Sequence, residues 1–320
     1  MIANIEEVRS KKITENLYLV DLDQPLEGFR KFISAWIYTP DDLTILVDPG
    51  PRSTIPLLLS ALKKQEVKKI DYILLTHIHI DHAGGTGLLL KRYPQAQVIC
   101  HPKAIRHMIA PGRLWESSRK ILGDLAEAYG EIAPVPEKSI GYQEHIKAGE
   151  IVIAAIPTPG HAAHHLCYQA GEILFAGEVA GVTYPLEEAL YLRLATPPAL
   201  NYEVYRNSLD KAAALPVSRI CFGHYGSRED VKNVFATAFV QLDNWLAVVE
   251  KRLRAEDEPS EESIFSELLR NDQGLPHYGD LPYDIQARER YFSLNSIRGI
   301  LLHISSLPSS PKTSEQSRRR

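Results

Sequence analysis

The sequence predicts an α/β fold that ends in an all-helical segment, and three observations carry that prediction. Short apolar runs of strand character alternate with stretches whose apolar residues recur at helical spacing. Several of the strand-like runs end in turns holding Gly, His and a carboxylate, and the chain after residue 226 shows helical spacing alone. With 320 residues, 44% of them hydrophobic, the chain has enough length and apolar content to bury a large core.

In chain order, strands are expected over residues 13–20, 32–38 and 43–47, followed by a helix near 54–64 and a strand at 70–75. Helical stretches are expected at 87–93, 104–109 and 114–129, the last placed to cover a sheet face or to wall a pocket. A second half begins near Ser139, with strands at 150–157, 172–176 and 218–222. Helices over 231–254, 260–270 and 285–304 follow; Ser260-Glu261-Glu262 reads as a capped start with acid in the first turn. The loop 274–282, G-L-P-H-Y-G-D-L-P, is a candidate lid in which His277 and Tyr278 could meet a substrate. These readings divide the chain into an α/β domain at 1–227, expected to be catalytic on the motifs and resemblance given below, a helical extension at 228–305 expected to cap its site, and a disordered Ser-rich tail at 306–320.

The densest chemistry is T-H-I-H-I-D-H-A-G-G at residues 76–85, directly after the apolar run 70–75. His77, His79, Asp81 and His82 are four metal-ligating side chains within six positions. Beyond a strand end, residues two apart point the same way, so His77 and His79 can close on one ion. Asp81 and His82, on the following turn, then face a neighbouring ion. Three further strand exits supply partners: T-P-G-H places His161, G-E places Glu178 and G-H-Y-G places His224. Each of these alone is more often structural than ligating; together, at the ends of apolar strands, they read as a ligand set.

At these residues the chain resembles the metallo-β-lactamase superfamily, over about residues 13–226, through L-V-D-P-G at 46–50, T-H-I-H-I-D-H, T-P-G-H, F-A-G-E and F-G-H. The resemblance implies a four-layer αββα sandwich of two similar halves, with the metals along one edge. It implies a first metal on His77, His79 and His161, a second on Asp81, His82 and His224, and a bridging carboxylate at position 178. It also places Asp48 beneath the metals, where it would fix a ligand's orientation. The family usually has Asp at the bridge; here the residue is Glu178. His164 and His165, after T-P-G-H, match the hydroxyacylglutathione hydrolase pattern and are expected to buttress the loop or sit at the pocket wall.

The implied activity is a dinuclear metal-dependent hydrolysis of a small ester, thioester or lactone by a metal-bridging hydroxide that Asp81 orients. Two divalent ions are expected, zinc first, with iron or manganese as alternatives. His79 stands where flavin-linked di-iron relatives usually carry Glu, which argues for hydrolysis. A formal charge of −4, with no basic cluster before the last three residues, argues against nucleic acid. Two alternatives stay open: a metal-bearing regulatory or partner-binding protein whose helices plug the site, and a mononuclear iron persulfide dioxygenase. The second would leave Asp81, His82 and His224 without strong roles.

No run approaches eighteen apolar residues, and the start M-I-A-N-I-E-E-V-R-S lacks the pattern of a signal peptide. The expectation is a cytoplasmic protein with a small-molecule substrate, no nucleic-acid or membrane partner, and a homodimer as an option. Cys100, Cys167 and Cys221, without a C-x-x-C pair, read as buried packing thiols.

Overall fold

Alternation along the strands sets the layering. The computed structural model describes residues 10–187, 189–197, 200–256 and 258–306, so the tail expected at 306–320 lies outside the described residues from 307 onward. The first half runs β1 (Ser10–Lys12), β2 (Leu17–Asp21), β3 (Ser34–Tyr38), β4 (Ile45–Val47), α1 (Ile55–Lys64), β5 (Tyr72–Leu74), α2 (Ile80–Ala83), α3 (Thr86–Leu89), β6 (Gln97–Ile99), α4 (Pro102–Ile109), α5 (Gly112–Leu122), α6 (Asp124–Tyr129) and β7 (Ile140–Gly141). Its strands form one seven-stranded sheet in chain order, antiparallel from β1 to β4 and parallel from β4 to β7.

The second half runs β8 (His145–Ala148), β9 (Ile151–Pro157), β10 (Leu166–Ala170), β11 (Ile173–Gly177), β12 (Val182–Pro185), β13 (Leu190–Arg193), α7 (Tyr202–Ala213), β14 (Arg219–Phe222) and β15 (Ser227–Arg228). A six-stranded sheet takes the order β15-β14-β11-β10-β9-β8, and β12 and β13 pair as a separate hairpin. The chain closes with α8 (Val231–Ala255), α9 (Glu261–Asn271) and α10 (Tyr283–Ser306).

Trp36, Tyr38, Ile45, Val47, Leu74 and Ile99 join one buried cluster with Ile153, Tyr168 and Phe175 of the second sheet. Their neighbours Ala35, Ile37, Leu46, Ile73 and Val98 point the other way, into a cluster with residues of α1, α4 and α6. The outer face of the second sheet (Cys167, Leu174, Ile220, Phe222) packs on residues of α7, α8, α9 and α10. The order of layers is therefore helix, sheet, sheet, helix, and strands buried on both faces read in the sequence as continuous apolar runs. The C-terminal helices share their core with the second sheet: Trp245, Phe265 and Ile297 lie in the same cluster as Phe222.

Several expected bounds shift for identifiable reasons. The run 13–20 is broken by a turn in which Ile13 and Thr14 N–H donate to the Leu17 carbonyl, closing the β1–β2 pair. The helix expected at 87–93 is the short α3, preceded by α2, which begins inside the T-H-I-H-I-D-H run. The stretch 114–129 divides at Gly123, whose φ of +55° ends α5. β7 still pairs with β6, so the changeover to the second sheet comes at β8 rather than at Ser139. The last three helices match expectation closely, and the Ser260 side chain accepts from Ser263 N–H as the cap of α9. The β12–β13 hairpin and α7 had no counterpart in the sequence reading. All three cysteines are free and buried, and burial pushes the Cys100 and Cys167 thiols up to about 12. Among the described residues no helix is long and apolar enough to cross a membrane.

Candidate metal centre

Every candidate ligand sits on a loop or helix start at one edge of the paired sheets. β5 ends at Leu74, and His77 and His79 follow on the extended exit, with His79 at φ −60° and ψ 148° capping α2. Asp81 and His82 are then on the first turn of α2. His161 and Glu178 lie just past the ends of β9 and β11, and His224 lies past β14.

The structure brings all seven residues together, in two groups. His77, His79, His161 and Glu178 form one, and Asp81, His82 and His224 the other, with donor atoms inside each group within 4.8 Å of one another. His161 Nε2 and His79 Nδ1 stand 3.0 Å apart, as do His82 Nε2 and His224 Nε2. A single oxygen, Glu178 Oε1, lies 3.2 Å from His82 Nε2, 3.4 Å from His161 Nε2 and His224 Nε2, and 3.5 Å from His77 Nε2. It touches both groups, the position a bridging carboxylate needs. Asp81 Oδ2 is 3.3 Å from His224 Nε2 and 3.6 Å from His82 Nε2.

Hydrogen bonds behind the rings fix which nitrogen faces inward. His161 Nδ1 is 2.9 Å from the Ala195 carbonyl, and His224 Nδ1 is 3.0 Å from that of Phe32. A carbonyl only accepts, so both Nδ1 atoms carry protons and both Nε2 atoms, the positions free to ligate a cation, point into the site. Thr76 Oγ1 donates to Asp48 Oδ2 at 2.6 Å, so at 3.0 Å from His77 Nδ1 it must accept. His77 Nε2 is thereby left as a buried lone pair with no hydrogen-bond partner. Inward lone pairs on imidazoles, two carboxylates and an orphaned nitrogen form the donor set that a divalent cation takes.

The charges agree. Burial would push the Asp81 and Glu178 carboxyls up, but the surrounding imidazoles outweigh it and hold both below the usual carboxylate range. Burial and neighbouring imidazoles hold His77 low and bring His79 down to about 3, so both rings are neutral. Burial also opposes charge on His82, yet Asp81, Asp48 and Glu178 raise it.

Asp48 is where the resemblance put it, accepting from Thr76 N–H at 2.8 Å as well as from its hydroxyl, with Oδ2 3.6 Å from His82 Nδ1. His165 buttresses the site. Its Nε2 accepts from Glu178 N–H at 3.1 Å and its Nδ1 donates to Thr158 Oγ1 at 2.9 Å, so neither nitrogen is free to ligate. A Cβ at Gly177 would stand 2.4 Å from that Nε2, and φ there is +53°, which together require glycine.

A cavity of about 340 Å³ opens on the site, and His79, Asp81, His161, Glu178 and His224 lie on its wall. His164 lines it too, with burial and His161 bringing its imidazole down to about 4. The segment 114–129 does wall this cavity, through Leu114, Leu122, Leu125 and Tyr129. Phe292, Asn295 and Ser296 of α10 close another side. The loop 274–282 does not act as the lid expected of it. None of its residues lines the cavity; Leu192 N–H donates to the Gly274 carbonyl, Tyr278 packs on Phe265 and His277 bonds Asp280. Sequence reasoning missed Thr158, Arg193, Phe32 and Phe292, whose roles arise only from contacts between distant segments.

Residues 28–224 match the family described as the metallo-beta-lactamase superfamily. A metallo-beta-lactamase fold-containing protein of Sulfurisphaera tokodaii is 29% identical over 232 residues, 68% of this chain and 84% of that protein. A hydroxyacylglutathione hydrolase of Xylella fastidiosa is 30% identical over 205 residues, 62% of each. Among solved structures, an archaeal metallo-beta-lactamase superfamily protein from Sulfolobus tokodaii superposes with a TM-score of 0.66 at 23% identity, over 90% of this chain and 99% of that one. A metallo-beta-lactamase family protein of Thermus thermophilus gives 0.61 at 20% identity, over 91% and 94%.

Proposed function

Because the chain belongs to the metallo-beta-lactamase superfamily, we infer that it is a metal-dependent hydrolase working with two divalent ions on a small ester, thioester or lactone. The observation that carries this reading is the cavity of about 340 Å³ with five of the seven candidate ligands on its wall. His77, His79 and His161 would hold one ion, Asp81, His82 and His224 the other, and Glu178 both. Zinc is the first choice, with iron or manganese as alternatives, since imidazole and carboxylate suit all three. When bound, such ions lower the pKa of a shared water from 15.7 to about 7 and polarise the substrate's carbonyl oxygen.

The protein's own groups supply the rest. The Ala195 and Phe32 carbonyls and Thr76 hold three rings in the tautomer that faces inward. His165 fixes the backbone of Glu178. Asp81, ionised and partly open to the cavity, would accept a hydrogen bond from the attacking water and orient it. Apolar walls on α5, α6 and α10 keep bulk water from the reacting carbonyl. A regulatory protein with a plugged site is the weaker reading, because α10 lines this cavity instead of filling it. A cytoplasmic location and a small-molecule partner belong to the same proposal.

The test is turnover of esters, thioesters, lactones and phosphodiesters by wild type, by chelator-treated protein and by His82→Ala. Turnover of at least one acyl substrate, lost on chelation, restored by metal and lost in His82→Ala, is expected. No turnover of any substrate after metal is restored would overturn the reading.

A further inference from the structure

The cavity beside the ligands is not chemically neutral in its preferences. Leu114, Ile121, Leu122 and Leu125 form one side, and Phe32 and Phe292 the other. The two phenyl rings stack at 5.5 Å between centroids, and Phe32 in turn stacks on His224 at 4.1 Å, so the apolar wall runs without a break to a candidate ligand. Ile121 is 61% exposed and therefore marks the rim.

Of the polar groups on the wall, Tyr129 Oη and His164 Nδ1 have no hydrogen-bond partner, while three hydroxyls bond to nearby carbonyls. Ser118 donates to the Leu114 carbonyl, Thr196 to that of Ser296, and Ser296 to that of Leu194. One cation, Arg193, lines the cavity, and its Nε lies 2.5 Å from Glu289 Oε2 while Nη1 donates to the Leu194 carbonyl. An anionic arm entering here would meet no uncommitted arginine or lysine on that wall. At about 30 Å³ per water-sized group, 340 Å³ holds roughly eleven such groups.

Resting on the hydrolase reading, the geometry points to an uncharged aliphatic acyl group of medium length as what this cavity holds, with the scissile carbonyl at the His224 end. Chain length is then selected by α5, α6 and α10 together, and a carboxylate at the far end of the acyl chain is rejected because Arg193 is committed to Glu289.

Two measurements on the metal-loaded full chain test this. The first is kcat/KM for p-nitrophenyl esters from acetate to dodecanoate, with a matched series ending in an ω-carboxylate. The second is calorimetric binding of methyl ketones of the same chain lengths, which are not hydrolysed. Both are repeated in Leu114→Trp, whose fold is checked by thermal melting, and in Ile121→Ala at the exposed rim. The expected result is a gain of about fourfold per added methylene in both measurements until the cavity is full, a loss of at least about tenfold on adding the ω-carboxylate, and an optimum moved to shorter chains in Leu114→Trp. Ile121→Ala should weaken only the longer chains. Ester turnover that is flat with chain length, or faster for the ω-carboxylates, would overturn the proposal while leaving the hydrolase intact. Ketone binding that grows with length, without turnover of any ester, would keep the cavity assignment and sink the hydrolase. Neither binding nor turnover would remove both.

Discussion

Glu178 is the residue on which the two groups of candidate ligands meet, and its support is a chain of single hydrogen bonds. Its N–H donates to His165, His165 donates to Thr158, and Thr158 Oγ1 lies 3.2 Å from Cys167 Sγ. Thr158→Val keeps the volume and deletes the acceptor, leaving the His165 Nδ1–H buried and unpaired. The expected cost is about 1–3 kcal/mol of folding stability in a urea titration; unchanged stability would remove Thr158 from the account. Gly177→Ala should destabilise too, because its Cβ would stand 2.4 Å from His165 Nε2 and 2.9 Å from Thr76 Cβ. A melting temperature equal to that of wild type would mean that the loop relaxes. The ligand types were legible because His, Asp and Glu fell at strand exits with fixed spacing. Ring orientation was not, since it depends on the Ala195 and Phe32 carbonyls, which are far in sequence from the His161 and His224 rings they hold.

At the scale of elements, α10 joins the C-terminal segment to the site through a buried charge network. Glu289 accepts from Arg193 Nε at 2.5 Å, from Arg288 Nε at 2.8 Å and from the Tyr191 hydroxyl at 3.0 Å. Arg288 also donates to the Gly28 carbonyl at 2.7 Å and its guanidinium lies 4.2 Å from the Phe32 ring centroid. Replacing Glu289 with Leu leaves two buried guanidiniums without their carboxylate, which should cost about 3–5 kcal/mol; a loss below about 1 kcal/mol would contradict a buried network. Burial opposes ionisation of Glu289, but Arg193 and Arg288 outweigh it and bring the carboxyl from 4.5 down to about 2. A depressed carboxyl stabilises the fold above its unfolded value and loses that contribution as pH falls toward its folded value. Metal-free wild type should therefore lose stability between about pH 4.5 and 2 more steeply than Glu289→Gln, read from urea midpoints across that range. Parallel slopes would show that Glu289 is not ionised in the fold. Apolar periodicity made α10 legible as a helix. Its anchors were not, because Arg193 lies on the β12–β13 hairpin, which carries no strong turn signal, and Glu289 on a helix looks like any solvated acid until its partner is placed.

At the scale of the whole molecule, two sheets meet face to face and the candidate ligands gather where their loops converge, so a metal bound there would tie both halves together. A ligand that binds only the folded chain stabilises it by about 2.7 kcal/mol at a hundredfold excess over its Kd. Chelation should accordingly lower the melting temperature, and metal should restore it; an unchanged melting temperature would mean that the site does not bind metal tightly. We propose that residues 228–305 do not fold apart from residues 1–227, given the apolar cluster that Trp245, Phe265 and Ile297 share with Leu174 and Phe222. A chain ending at residue 227 should then be insoluble, and a soluble, cooperatively melting fragment would contradict this. The layering came from the resemblance, with which strands apolar on both faces agree; the 114–129 wall of the cavity was an option in the sequence, but its closure by α10 was not legible, because α10 lies far along the chain from α5 and α6.

The measurement that bears most directly on the central claim is metal content per chain, by elemental analysis of protein purified without added metal, for wild type and His82→Ala. The account predicts about two divalent ions per wild-type chain and about one in the variant. One ion or none in wild type after reconstitution, with His82→Ala unchanged, would contradict a two-ion centre bridged by Glu178.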